Sequence, residues 1–167
     1  CGTALGAHGE YTLSPKLVAL ACVWGGTEGF LSAGDSGSLP VLCIFDNEEV
    51  GSATKQGAAS TFLRDTLRRI SLALGQDEEA FQTTLARSFL VSADNAHAIH
   101  PDHPEYADRG NCPRMNGGVV IKFNANQRYA TDGRSCAVFR AACAEAGVPV
   151  QLMANRSALP GGSPLGS

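Results

Sequence analysis

No apolar run in these 167 residues approaches the roughly 20 that a membrane-spanning helix needs, so a transmembrane segment is excluded. Basic charge is not in excess either. The net charge is -3, which leaves no electrostatic footprint for nucleic acid. The six cysteines, at 1, 22, 43, 112, 136 and 143, contain no C-x-x-C pair, which argues against a zinc ribbon or a thioredoxin-like motif. Several of them sit in apolar periodic stretches, where a free thiol behaves as a small hydrophobe. The expected compartment is therefore reducing, namely the cytoplasm. The opening "CGTALGAHGEYTL" has neither the basic n-region nor the continuous apolar h-region of a signal peptide. It also lacks an initiating methionine, and the far end reads "PGGSPLGS", a loop-like string, so a piece of a longer protein is expected.

What is present is enough for one domain: 44% hydrophobic residues can build a core over this length. "SPKLVALACVWGGTEGFL" predicts a first helix, with Ser14 as N-cap and Pro15 at the first helical position. The Gly25-Gly26 pair should weaken its second half. "LPVLCIF" (39–45) predicts a buried strand, since it is apolar without alternation. "STFLRDTLRRISLALG" predicts a helix with Leu63, Leu67, Ile70 and Leu74 on one stripe and Gly75 as its stop. "DEEAFQTTLARS" predicts another, capped by Asp77 with Ala80, Phe81 and Leu85 turned inward. "FLVSAD" predicts a short strand, and residues 95–116 a long loop. Strand "GGVVIKFNAN", helix "SCAVFRAACAEAG" ending at Gly147, and strand "VPVQLMA" complete the chain. This alternation predicts an α/β fold with a mainly parallel sheet covered by helices.

In such sheets function gathers at the carboxyl ends of the strands. Three strand ends carry polar groups: Asp46, Glu48 and Glu49; Asp94 with His97; and Lys122, followed by Arg128 and Tyr129. Neighbouring side chains diverge, so one of Glu48 and Glu49 can ligate a cation while the other takes a proton from water. A solvated acidic turn is the competing reading of the same pair. Asp94, His97, His100 and His103 follow at intervals of three, but Pro101 prevents one helix from carrying all four. A histidine-rich loop of this kind serves as well for surface or substrate contact as for metal. Lys122 is either a rim lysine or the counter-charge for an anionic ligand.

Together, "FDNEEVGS", "SADNAHAIHP", "NGGVVIKFNANQRYATDG" and "NRSALPGGSPLG" resemble the aspartyl aminopeptidases, the M18 family of zinc metallopeptidases, from about Glu10 to the end. The resemblance implies a three-layer αβα peptidase fold and two zinc ions. It also implies removal of N-terminal Asp or Glu from peptides, by metal-activated water with a glutamate general base. Assembly into a homo-oligomeric dodecamer through an inserted second domain follows from it as well. It implies Glu48 as general base, Glu49 and Asp94 as zinc ligands, and Asp94, His97, Lys122 and Tyr129 as substrate-binding positions.

Residues 1–167 would then form a partial peptidase domain, without the assembly domain and without the N-terminal segment. The family's upstream H-x-D motif and its last ligand histidine have no counterpart here. Val18 stands where the family carries a metal-bridging aspartate after an "SPRL"-like stretch, and Ala158 replaces the acid of "NRSDMPGG". Such a chain should bind zinc weakly by itself and show no peptidase activity in isolation. Two alternatives stand beside an aminopeptidase portion: a non-catalytic relative serving as a binding or assembly module, and a fragment without an independent role.

Overall fold

Two glycines with left-handed backbone, Gly6 (φ 105) and Gly9 (φ 67), turn the chain back on itself at its start. They join β1 (Thr3–Leu5) to β2 (Tyr11–Leu13) as an antiparallel pair in the register Thr3↔Leu13 and Leu5↔Tyr11. This hairpin was not expected from the sequence, because three-residue strands are too short to display alternation. The computed structural model of the chain describes residues 2–48, 51–108, 110–125 and 127–154, and these fall into two units. One is built from the chain up to Ile44 with Ala93–Asn95; the other comprises Phe45–Ser92 and the chain from Ala96 onward.

In the first unit the hairpin is followed by α1 (Leu17–Ser32). Its start lies two residues later than Ser14 and Pro15 suggest. The Ser14 hydroxyl donates to the Pro15 carbonyl instead of capping, and Lys16 takes a left-handed N-cap position (φ 60). Nor does the Gly25-Gly26 pair end the helix. Gly26 has a use: a Cβ there would meet Leu42 Cδ1 at 3.5 Å, so the segment after the helix approaches α1 closely at this point. The hydroxyls of Thr27 and Ser32 donate to carbonyls one turn back, at 2.7 and 2.8 Å.

The second unit holds α2 (Phe62–Ala73), α3 (Glu78–Ala86), β3 (Val119–Phe123), α4 (Gly133–Glu145) and β4 (Val150–Ala154). Helix α2 ends as its Gly75 predicts. The Gln76 amide donates to Ser71 O, the Gly75 amide to Leu72 O, and Gly75 takes φ 81, a Schellman ending. Asp77 caps α3 by accepting from the Ala80 amide at 2.8 Å, and Phe81 is buried behind it. Arg68 and Glu78 pair across the two helices at 2.8 Å. Of the predicted α2 stripe, Leu63 and Leu67 are half-buried, but Ile70 and Leu74 face solvent.

β3, α4 and β4 form one βαβ unit, with the strands parallel in the register Val119↔Val150 through Phe123↔Ala154. Asp132 opens α4 with a capping box shared with Ser135, and Gly147 (φ 68) closes it with a second Schellman ending. Ile121, Met153, Cys136 and Cys143 are buried on the inner faces of these elements. Gly118 is required just before β3, since it takes φ 102 and a Cβ there would collide with the Pro149 carbonyl. A Cβ on Gly117 would instead displace the end of the Gln151 side chain.

The α/β class holds, and the parallel pairing appears where β3 and β4 were expected. Residues 39–45 and 89–94, expected as strands, are not strands. A strand exists by its ladder, and among the described residues no neighbouring strand pairs with either run. Leu39, Val41, Phe89 and Leu90 are correspondingly exposed.

Candidate active site

The acidic run after residue 45 is built on a chain of turns. Phe45 meets Phe62, at the start of α2, edge to face with centroids 6.4 Å apart. The Asp46 amide then donates to Gln56 O at 3.2 Å, closing the base of the loop. Asn47 adopts a left-handed backbone (φ 63), which its short polar side chain tolerates. Its amide group donates to Thr54 Oγ1 and Gln56 Oε1, while its carbonyl accepts from the Gly51 amide at 2.8 Å. The Asp46 carboxylate accepts from the Asn47 amide at 2.8 Å. Of the three acids, Asp46 is therefore part of the turn itself, and Glu48 is displayed, exposed, beyond the bend at Asn47. Glu49 lies outside the described residues, as does Ala158.

Asp94 belongs to the first unit, where it is half-buried, and its neighbour Asn95 accepts a hydrogen bond from the Cys22 thiol of α1 at 3.1 Å. Val18 stands one helical turn before Cys22, 42% exposed. Helix α1 thus meets the segment that holds Asp94 at Cys22, one turn after Val18.

His97 lies in the second unit, exposed, at the start of the predicted long loop. That loop is pinned in three places. Ile99 donates to Pro113 O at 2.9 Å, and the Asp108 carboxylate gathers the Asn111 side chain and the amides of Gly110 and Asn111. These bonds, the Asn111 side chain's first, lower the Asp108 pKa below its usual value. At the third place the Gln151 side chain of β4 mimics a strand: its Oε1 accepts from the Arg114 amide at 2.9 Å and its Nε2 donates to Arg114 O at 3.1 Å. His100, His103 and Tyr106 form a run of neighbouring rings on this loop, with His103 Nδ1 3.0 Å from Glu105.

Lys122 occupies the fourth position of β3, near its carboxyl end, and is half-buried. Beyond the strand the chain turns sharply: the Gln127 amide donates to Asn124 O, and Gln127 has φ 54. This turn returns Tyr129 to the strand. Its ring is buried, 9% exposed, and Lys122 Nζ lies over it, 5.8 Å from the centroid. Lys122 and Tyr129 are thus brought together as strand-end logic suggests. Asn47, Gln56 and Gln151, which hold the loops in place, were not singled out from the sequence. Only Asn47 carried a signal, as an Asn in a turn.

Among the described residues no three His, Cys, Asp or Glu side chains converge on a point that could hold a metal ion. Asp94 is the one suggested ligand within them, so the described donor set does not by itself fit zinc. No helix among them is long and apolar enough to cross a membrane.

A family model described as aminopeptidase I zinc metalloprotease (M18) matches residues 1–167. The chain is 44% identical over 165 residues to a probable M18 family aminopeptidase 2 of Clostridium novyi, covering 99% of this chain and 38% of that protein. It is 43% identical over 169 residues to the protein of the same description in Mycobacterium tuberculosis, covering 99% and 39%. Among solved structures, the cryo-EM structure of the Ape4 and Nbr1 complex matches with a TM-score of 0.83 at 37% identity, over 98% of this chain and 32% of that one. The M18 aminopeptidase of Thermotoga maritima has the same TM-score at 23% identity, over 97% and 38%, and shows the fold alone. The chain therefore spans less than two fifths of the length of these relatives, and it belongs to the M18 family of zinc metallo-aminopeptidases.

Proposed function

We propose that this chain is the part of an M18 peptidase domain that carries the general base and the receptor for the substrate's first side chain. On this reading the whole protein removes N-terminal Asp or Glu from peptides. The observation that carries the reading is Lys122: an ammonium near the carboxyl end of a parallel strand, set over the Tyr129 ring, in the position expected of a counter-charge for a carboxylate. Glu48 is the general base. Its carboxylate takes the proton of the water that attacks the first peptide bond and passes it to the departing amine. On the same reading His97 and Tyr129 contact the substrate, and Asp94 serves both substrate and metal.

Zinc, which the family description names, supplies a Lewis acid and an acidified water when bound. Glu49 and Asp94 are its ligands from this chain, and the remaining donors come from other parts of the protein. Residues 1–167 are a partial peptidase domain on this account. One similar solved structure is a dodecamer of mApe1, and a homo-oligomer is proposed for the full-length protein by that analogy. Its partners are acidic peptides rather than nucleic acid or membrane, and its location is the cytoplasm.

The test is a panel of peptides starting with Asp, Glu, Ala or Leu, given to the full-length protein before and after metal chelation. Chelator-sensitive release of Asp and Glu, well ahead of Ala and Leu, is expected. Equal rates on all four peptides, or release that survives chelation, would contradict the proposal.

Val18 favours a second reading, a non-catalytic relative acting as a binding or assembly module. An apolar residue stands one turn before the α1 contact with the Asp94 segment at Cys22, where the resemblance implies a bridging acid. Val18→Asp in the full-length protein discriminates: zinc and activity gained only by this variant would favour the module reading for the natural sequence.

A further inference from the structure

We propose that Gln151 is a positioning residue whose carboxamide fixes the register of the loop that presents His97. The inference rests on the reading of His97 as a substrate contact. It concerns what holds that contact in place.

His97 sits near one end of the long loop at 95–116, and Arg114 sits near the other. The two ends are tied to each other. The Ile99 amide, two residues after His97, donates to Pro113 O at 2.9 Å, and Pro113 is buried. Such a tie lets both ends drift together unless one of them is anchored to the sheet.

Gln151, the second residue of β4, is that anchor. A carboxamide carries the donor and the acceptor of a peptide group in one plane. Gln151 uses both on a single residue: Oε1 accepts from the Arg114 amide at 2.9 Å, and Nε2 donates to Arg114 O at 3.1 Å. Nε2 also donates to Gly118 O at 3.4 Å, just ahead of β3. The reversed carboxamide would set an N–H against the Arg114 amide and an oxygen against two carbonyls, so only one orientation serves. Glutamate lacks the donor, and asparagine is one methylene short. Gly117 makes the room, since a Cβ there would stand 2.5 Å from Gln151 Cδ. β4 thus reaches the His97 segment through connected links: carboxamide to Arg114, Arg114 to Pro113, and Pro113 O to Ile99. A substrate contact displaced by about 1 Å can lose as much as 100-fold in rate, so these links bear on catalysis as well as on folding.

The test is a double-mutant cycle on the full-length protein, read as kcat/KM for release of N-terminal Asp. Gln151→Met, which keeps the length but has neither the donor nor the acceptor, should lower it roughly 10- to 100-fold. Gly117→Ala keeps Gln151 but pushes its carboxamide aside, and it should reproduce the loss. If Gln151→Met does not fold, Gly117→Ala carries the test. In a His97→Ala background neither change should cost more than about twofold further, because the contact they position is already gone. Unchanged rates in the folded variants overturn the inference. So does a loss repeated in full in the His97→Ala background, which would place the role in general stability. If His97→Ala is itself without effect, the reading of His97 fails and the inference falls with it. Hydrogen exchange gives a readout apart from activity: the Ile99 and Arg114 amides should exchange slowly in the unaltered protein and quickly in both variants. Rapid exchange at these amides in the unaltered protein overturns the inference without any variant.

Discussion

At the scale of single residues, four carboxylates build the backbone: Asp46, Asp77, Asp108 and Asp132 each accept a backbone amide. Glu48 is exposed beyond the left-handed Asn47. Asp132 shows what such a bond does to titration. The Ser135 amide, then the Ser135 hydroxyl, hold its carboxyl below the ordinary 3.8. A depressed folded-state value means that the ionised cap stabilises the fold above 3.8 and that this contribution is lost as pH falls through the lower, folded-state value. Asp132→Asn keeps a capping side chain but removes the titration. Stability measured against pH should fall less steeply on the acid limb in this variant, and an unchanged acid limb would show that the cap is not coupled to folding. The acids were easy to find by sequence, but the bonds of Asp46, Asp77, Asp108 and Asp132 depend on which amide each oxygen meets, and those at Asp46 and Asp108 were not legible.

At the scale of elements, legibility followed the range of the forces. The ends of α2 and α4 at Gly75 and Gly147 and the cap of α3 at Asp77 are local, written within five residues, and they are found as expected. Strands depend on partners elsewhere. Residues 119–123 and 150–154 have each other and pair, whereas 39–45 and 89–94 have no ladder among the described residues and remain irregular despite their apolar composition. The start of α1 failed for a third reason, since Ser14 found the Pro15 carbonyl before any helix amide.

Two glycines test the local account within one helix. Neither Gly133 nor Gly147 has a neighbour within 4 Å of an added Cβ, so only backbone conformation separates them. Gly147→Ala, at φ 68, should cost about 1 kcal/mol, whereas Gly133→Ala inside the first turn of α4 should add about 0.5 kcal/mol. Denaturant midpoints moving in the same direction for both would refute the argument.

At the scale of the whole molecule, few large side chains are buried among the described residues. Phe81, Ile121, Tyr129 and Met153 are in the core, while Leu20, Trp24, Leu31 and Leu39 are all more than half exposed. The first three of these lie on α1, spaced to leave an apolar face toward solvent. A chain that spans 38% of its relatives' length is expected to leave such faces open. Trp24, 70% exposed, is the sole tryptophan and reports on this directly. At nanomolar concentration its emission should be that of a hydrated indole, open to collisional quenchers, and it should shift to the blue as concentration rises and copies associate. A blue, quencher-protected emission at every concentration would contradict the exposed face.

The family and its α/β fold follow from matches along the whole chain, and the chemistry proposed for it converges on Glu48. The most direct measurement is therefore the rate of N-terminal Asp release by the full-length protein with Glu48→Gln, a change that keeps shape and removes the base. The account predicts a fall in kcat of about 100-fold or more with KM little changed, the range expected when a positioned general base is lost. A kcat within about threefold of the unaltered protein would show that Glu48 is only a solvated turn residue, and the proposed site would fall with it.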